Sequence, residues 1–181
     1  MKKKKYGMVI DTKTCVGCGA CVAACKTENR VPEGLHRVWI VEEVQGKFPT
    51  LQMEIRSERC NHCSNSPCVT NCPTGASYVQ KGTNIIQVDP EKCTGCKACI
   101  AACPYNARFV TPAGYVSKCS FCNHRLEKDL ETACASVCPT HSITTGDLTN
   151  PLSKAARLLK KRKSKTLIPE AGTKPNIHYL I

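Results

Sequence analysis

Asp11-Thr12-Lys13-Thr14-Cys15-Val16-Gly17-Cys18-Gly19-Ala20-Cys21-Val22-Ala23-Ala24-Cys25 and Asp89-Pro90-Glu91-Lys92-Cys93-Thr94-Gly95-Cys96-Lys97-Ala98-Cys99-Ile100-Ala101-Ala102-Cys103 are two copies of one pattern. In each, the cysteines are spaced C-x-x-C-x-x-C-x-x-x-C, and a short β-type run precedes them, at residues 8–10 and 85–88. Two further groups, Cys60, Cys63, Cys68, Cys72 and Cys119, Cys122, Cys134, Cys138, open with C-x-x-C. They close on Cys72-Pro73-Thr74 and Cys138-Pro139-Thr140. All 16 cysteines of the 181-residue chain fall into these four groups, with none left over. Such self-similarity has to be settled before any local propensity is weighed. It gives two units, one nested inside the other.

Four soft thiolates converging on one small body are what an iron–sulfur cubane requires. A C-x-x-C-x-x-C loop wraps three of them around it. The fourth cysteine, three residues further on, points elsewhere, and in two-cluster ferredoxins it crosses to the other cluster. The expected fold class is therefore α+β: two nested two-cluster ferredoxin-like units with short β-hairpins, short helices and long cluster-binding loops. The expected cofactors are four 4Fe-4S clusters. Three alternatives are weaker. Disulfides do not favour C-x-x-C runs. Structural zinc would suit groups two and four only if they stood alone. A lost or three-iron cluster does not suit four complete cysteine sets.

The composition agrees. Apolar residues make up 41% of the chain, but that figure counts the cysteines. Without them only about a third is apolar, against ~45–50% in an average domain. Bound clusters would fill the interior, and their binding free energy would be folding free energy. The formal charge of +12 suggests nucleic acid at first sight. Sixteen thiolates around four cluster cores would offset about 8 of those charges. With aromatics at 5% there is also no base-stacking platform. The basic start, Lys2 to Lys5, is followed by no apolar h-region and no twin-arginine pair, so no export signal is expected. No run approaches the ~20 apolar residues of a membrane span. Any membrane or exported location would come through a partner.

Hairpins are expected from residues 38–44 with 51–56, 77–80 with 85–88, and 107–110 with 115–118. The Ala-rich pieces after Cys21 and Cys99 suit one or two helical turns. Asn150-Pro151 reads as a helix start. That helix would run to about Lys161, with Leu152, Ala155, Ala156 and Leu159 on one face. A polar tail follows, with Pro169, Gly172 and Pro175, then an apolar run at 177–181. This divides the chain into a four-cluster domain, 1–149, and a C-terminal helix and docking tail, 150–181. Gly17, Gly19 and Gly95 would let the loop backbone approach a cluster, and Pro73, Pro104 and Pro139 would redirect the chain. His62 and His124 fit supporting or surface roles rather than ligation. Lys160-Lys161-Arg162-Lys163 fits a solvated helix end. Trp39 and Tyr115 are packing residues. There are no catalytic residues: GxSxG, HExxH, phosphate-loop and dinucleotide fingerprints are all missing. The chain is expected to conduct electrons and not to be an enzyme by itself.

The order of the four groups, the Cys-Pro-Thr endings and the stretch Pro112-Ala113-Gly114-Tyr115-Val116-Ser117-Lys118-Cys119 resemble the four-cluster electron-transfer (beta) subunits of complex iron–sulfur molybdoenzymes. The nearest likeness is to the polysulfide, thiosulfate and arsenate reductase type, and it covers nearly the whole chain from Met8 onward. The resemblance implies a molybdenum or tungsten bis-pterin catalytic subunit and an integral-membrane, quinone-reactive anchor as partners. It implies a place on the outer, periplasmic face through a partner's export signal, the cytoplasmic face being the alternative. It also implies how the cysteines are shared. Cys15, Cys18, Cys21 and Cys138 would form the first site, and Cys119, Cys122, Cys134 and Cys25 the second. Cys60, Cys63, Cys68 and Cys103 would form the third, and Cys93, Cys96, Cys99 and Cys72 the fourth. A cytoplasmic polyferredoxin subunit of a formate dehydrogenase or hydrogenase has the same cysteine arithmetic. A zinc-stabilised interaction module is a third possibility.

Overall fold

A computed structural model describes residues 3–181. The first half holds β1 (Tyr6–Asp11), α1 (Ala20–Asn29), β2 (Val38–Gln45), β3 (Gln52–Arg59), α2 (Pro67–Thr70), β4 (Ser77–Val79) and β5 (Ile86–Val88). The second holds α3 (Ala98–Ala101), β6 (Phe109–Val110), β7 (Val116–Ser117), α4 (Asn123–Leu126), α5 (Ala133–Ser136), β8 (Ile143–Asp147), α6 (Lys154–Lys161), β9 (Ser164–Lys165) and β10 (Ile177–Leu180). The class is α+β. The three expected hairpins are present as β2–β3, β4–β5 and β6–β7, all antiparallel.

The nesting is visible in what packs together. The elements beside groups one and four meet: β1 pairs with β8, and α1 lies against α5. The elements beside groups two and three also meet: β4 pairs with β5, and α2 lies against α3. Met8 and Ile10 face a core that includes Cys25, Phe121, Cys134 and Tyr179. Val9 faces the other way, onto Ala155 and Leu180, so β1 is buried on both faces. This double burial explains the unbroken apolar run Met8-Val9-Ile10.

The C-terminal third differs from expectation in two ways. First, α6 is capped by Ser153, whose hydroxyl accepts from the Ala156 amide. Asn150 instead closes a turn by accepting from the Leu152 amide, and Leu152 is exposed ahead of the helix. Second, the segment expected to be a tail with few core residues is woven into the main sheet. The strand order is β8-β1-β10-β9, with β10 parallel to β1, and Ile177, Tyr179 and Leu180 are fully buried. The sequence shows an apolar run there but not its partner, because the pairing strand lies at the opposite end of the chain.

Candidate metal centres

Cys15 and Cys18 lie in the loop before α1, and Cys21 and Cys25 lie on α1 itself. The loop turns through left-handed backbone at Gly17 (φ 67°) and Gly19 (φ 74°). The second copy repeats it at Gly95 (φ 67°) and Lys97 (φ 64°). The left-handed residue directly before the helix is thus a property of the loop, which a lysine also accepts. Gly95 is a stricter case. A Cβ there would stand 2.4 Å from the Gly114 carbonyl oxygen, whereas nothing lies within 4 Å of one at Gly19.

Two cavities are bordered by cysteines from two groups at once. One is lined by Cys15, Cys18, Cys21 and Cys138, the other by Cys25, Cys119, Cys122 and Cys134. Cys138 and Cys25, the last cysteines of their groups, each stand with three from the other group. Elsewhere Cys60, Cys63 and Cys103 pack around Tyr105 and Ala107, and the Cys63 thiol feels the charges of Cys60, Cys68 and Cys103. Cys93 and Cys99 pack with Ile86 and Val116. Cys72 follows α2, which lies on α3. Among the described residues no three His, Cys, Asp or Glu side chains converge closely enough to share one metal ion.

The sulfurs are supplied with donors. The amides of Ser77, Val116 and Phe121 donate to Cys72 (3.3 Å), Cys93 (3.4 Å) and Cys119 (3.4 Å). Arg59 Nη1 donates to Cys134 Sγ at 3.0 Å and Arg108 Nη2 to Cys68 Sγ at 2.8 Å. Burial pushes the Cys25 and Cys63 thiols up to about 11 and Cys119 further still. At Cys72 and Cys138 burial also works upward, but hydrogen bonds win and hold both below the usual thiol value. The donors are Ser77 and Thr74 for Cys72, and Ser142 and Thr140 for Cys138.

Three cations are buried beside these sulfurs: Arg59, Arg108 and Lys118. None has a carboxylate partner among the ion pairs of the described residues. Arg59 Nε, Arg108 Nε and Arg108 Nη1 have no hydrogen-bond partner at all. An uncompensated buried charge costs several kcal/mol. Thiolate-ligated 4Fe-4S clusters, which carry net negative charge and acceptor sulfurs, supply what these groups lack. The residues fit the cofactor. When bound, such clusters take up and release single electrons.

Sequence reasoning missed these cations. A signal was present: Arg59 directly precedes Cys60 and Lys118 directly precedes Cys119. His62 is fully buried, its Nδ1 accepts from the Ile86 amide at 3.1 Å, and its ring meets Phe121 edge-on at 5.2 Å. Burial, with Lys118 and Arg108 nearby, keeps it neutral. His124 is at the surface, 2.6 Å from Glu28. Arg162, expected to be solvated, pairs with Asp11.

A 4Fe-4S dicluster domain matches residues 51–148, more than half of the chain, and a second 4Fe-4S dicluster match spans residues 14–76. The chain belongs to the 4Fe-4S dicluster family. Similar proteins include the B subunit of polysulfide reductase from Wolinella succinogenes, 42% identical over 96% of this chain and 93% of its own length. Protein NrfC of Escherichia coli K12 is 41% identical over 96% of this chain and 79% of its own length. The arsenate respiratory reductase iron-sulfur subunit ArrB of Shewanella sp. ANA-3 is 35% identical over 97% and 96%. This member of the dicluster family is an electron-transfer subunit, not a catalyst in its own right. None of its described helices is long and apolar enough to cross a membrane.

Proposed function

We propose that the chain holds four 4Fe-4S clusters on the four cysteine sets given above and relays electrons between two partners. One partner is a molybdenum or tungsten bis-pterin catalytic subunit, the other a quinone-reactive membrane anchor. The complex sits on the outer face of the membrane through a partner's export signal. The observation that carries this reading is the gradient of burial across the cysteines. Cys18 of the first site and Cys96 of the fourth are exposed, all four cysteines of the second are buried, and in the third Cys60 and Cys68 are buried while Cys63 and Cys103 are half-buried. A relay needs an accessible site at each end and insulated sites between, and the two copies of the C-x-x-C-x-x-C loop supply the ends. The names of the relatives, a polysulfide reductase B subunit and an arsenate reductase iron-sulfur subunit, support a place as one subunit of a reductase complex.

The first site faces the catalytic subunit and the fourth faces the anchor. Cys96→Ser tests the direction. It should damage one cluster, leave the other three, and block electron exchange with quinone, while an artificial donor still feeds the catalytic subunit. Loss of the artificial-donor reaction with a surviving quinone reaction would reverse the assignment.

A further inference from the structure

The three buried cations are not scattered. Arg59, at the end of β3, donates to Cys134 Sγ of the second site at 3.0 Å, and its charge also acts on Cys119 of that site and on Cys21 of the first, which shares one packed core with Cys134. Lys118, after β7, directly precedes Cys119 of the second site, which packs in one cluster with Cys60 of the third, and its charge acts on Cys60 and Cys68. Its ammonium donates to the Ile86 carbonyl and, at 2.7 Å, to the Cys119 carbonyl. Arg108, before β6, donates to Cys68 Sγ of the third site at 2.8 Å, and its charge also acts on Cys60 of that site and on Cys99 of the fourth, which packs in one cluster with Cys68. One cation therefore stands at each junction: first to second, second to third, third to fourth.

A purely structural role accounts for part of this. Arg59 also donates to the Ser57 hydroxyl, and Arg108 donates to Ser77 Oγ at 2.9 Å. It does not account for the unpartnered donors or for the lack of any carboxylate. A guanidinium cannot lose its proton in a protein, so the charges of Arg59 and Arg108 are fixed; at Lys118 burial works against the charge, and the negative sulfur of Cys60 works for it. A fixed positive charge between two redox sites lowers the energy of an added electron at either one, and burial keeps water and salt from screening it.

Building on the cluster sites proposed above, we propose that Arg59, Lys118 and Arg108 are charge bridges, each raising the reduction potentials of the two clusters that flank it. They act through the clusters and are positioning residues in that sense. One electron leaves one site and enters the next, so the bridge charge is shared before and after transfer, and the step between neighbours is levelled. Local charge is an established determinant of cluster potential. What the structure adds is its allocation, one cation per junction.

The test is an anaerobic redox titration of the intact cluster-loaded chain, followed by electron paramagnetic resonance. Iron content is measured on the same samples. In the native chain, about sixteen irons and four titrating components test the four-site reading by itself. Arg59→Gln should move the first and second components to more negative potential, by the equivalent of about a tenfold change in the oxidised-to-reduced ratio, or about 59 mV for one electron. The fourth should stay in place. Arg108→Gln should move the third and fourth and spare the first. Arg59→Lys and Arg108→Lys, which keep the charge, should largely restore the native values. Glutamine variants that lose iron while the lysine variants retain it would also support a charge requirement. Unshifted potentials in fully loaded glutamine variants, equal shifts at all four components, or equal iron loss from the lysine and glutamine variants would overturn the proposal.

Discussion

Met8 and Ile177 stand opposite each other in the parallel ladder of β1 and β10, and both are buried. The last strand thus closes the same core that holds Cys21, Cys25, Cys134 and Cys138. Deleting residues 177–181 removes three fully buried side chains, each worth about 1.5–3 kcal/mol, together with a ladder of backbone hydrogen bonds. That approaches the ~5–15 kcal/mol stability of a whole domain. The truncated chain should lose iron from the sites served by groups one and four, measured as iron per chain after anaerobic purification. Full iron content would show that β10 is dispensable and would favour the detachable arm read from the sequence.

The two glycines of the repeat should behave differently. Gly19→Ala costs only left-handed backbone, about 1–2 kcal/mol, and the equivalent position of the second loop already carries a side chain, Lys97. Gly95→Ala adds a collision with the Gly114 carbonyl at 2.4 Å. The second variant should lose stability and iron, and the first should keep its clusters. Thermal unfolding with parallel iron assay checks this, and equal behaviour of the two would contradict the loop geometry.

How much of this was legible in the sequence follows from the range of the interactions. The C-x-x-C-x-x-C loops and the hairpins are local, so spacing and alternation reveal them. The place of residues 177–180 beside 8–11 depends on a partner about 170 residues away, and no local pattern carries it. The buried cations were hidden for a related reason. Composition shows a basic excess, but Lys92, directly before Cys93, lies at the surface beside Asp89, whereas Arg59 and Lys118, in the same position before their cysteines, are buried. Only packing separates them.

Cluster retention should depend on pH with a definite sign. Burial raises the Cys25 and Cys63 thiols from 9.0 to about 11 and Cys119 beyond that. In the cluster-free fold these thiols hold their protons through neutral pH. A raised folded value favours that fold below about 9, and the benefit disappears as pH rises through about 11. Binding iron must expel those protons, and losing iron regains them, so each unit fall in pH favours loss by up to about tenfold per buried thiol. Iron stripped by a chelator, corrected for the chelator's own protonation, should therefore be greater at pH 6.5 than at pH 8.5. Equal or inverted loss would mean that the thiols are not protonated in the cluster-free chain.

The tip of the β2–β3 hairpin is apolar and exposed: Val44, Phe48, Leu51 and Met53 all face solvent, with Phe48 at 89%. Cys15 lines a cleft together with Gln52, Met53 and Ile55 of β3, so the tip stands on the side of the first site. If that site meets the catalytic subunit, Phe48→Asp should weaken co-purification of the two by about tenfold or more and leave iron content unchanged. Undiminished co-purification would place the partner on another face.

The most direct measurement is the iron and acid-labile sulfide content of the chain after exhaustive anaerobic reconstitution. Sixteen cysteines in four sets predict about sixteen irons and sixteen sulfides per chain. Saturation near about eight of each, the content of two such clusters, would contradict the four-site account.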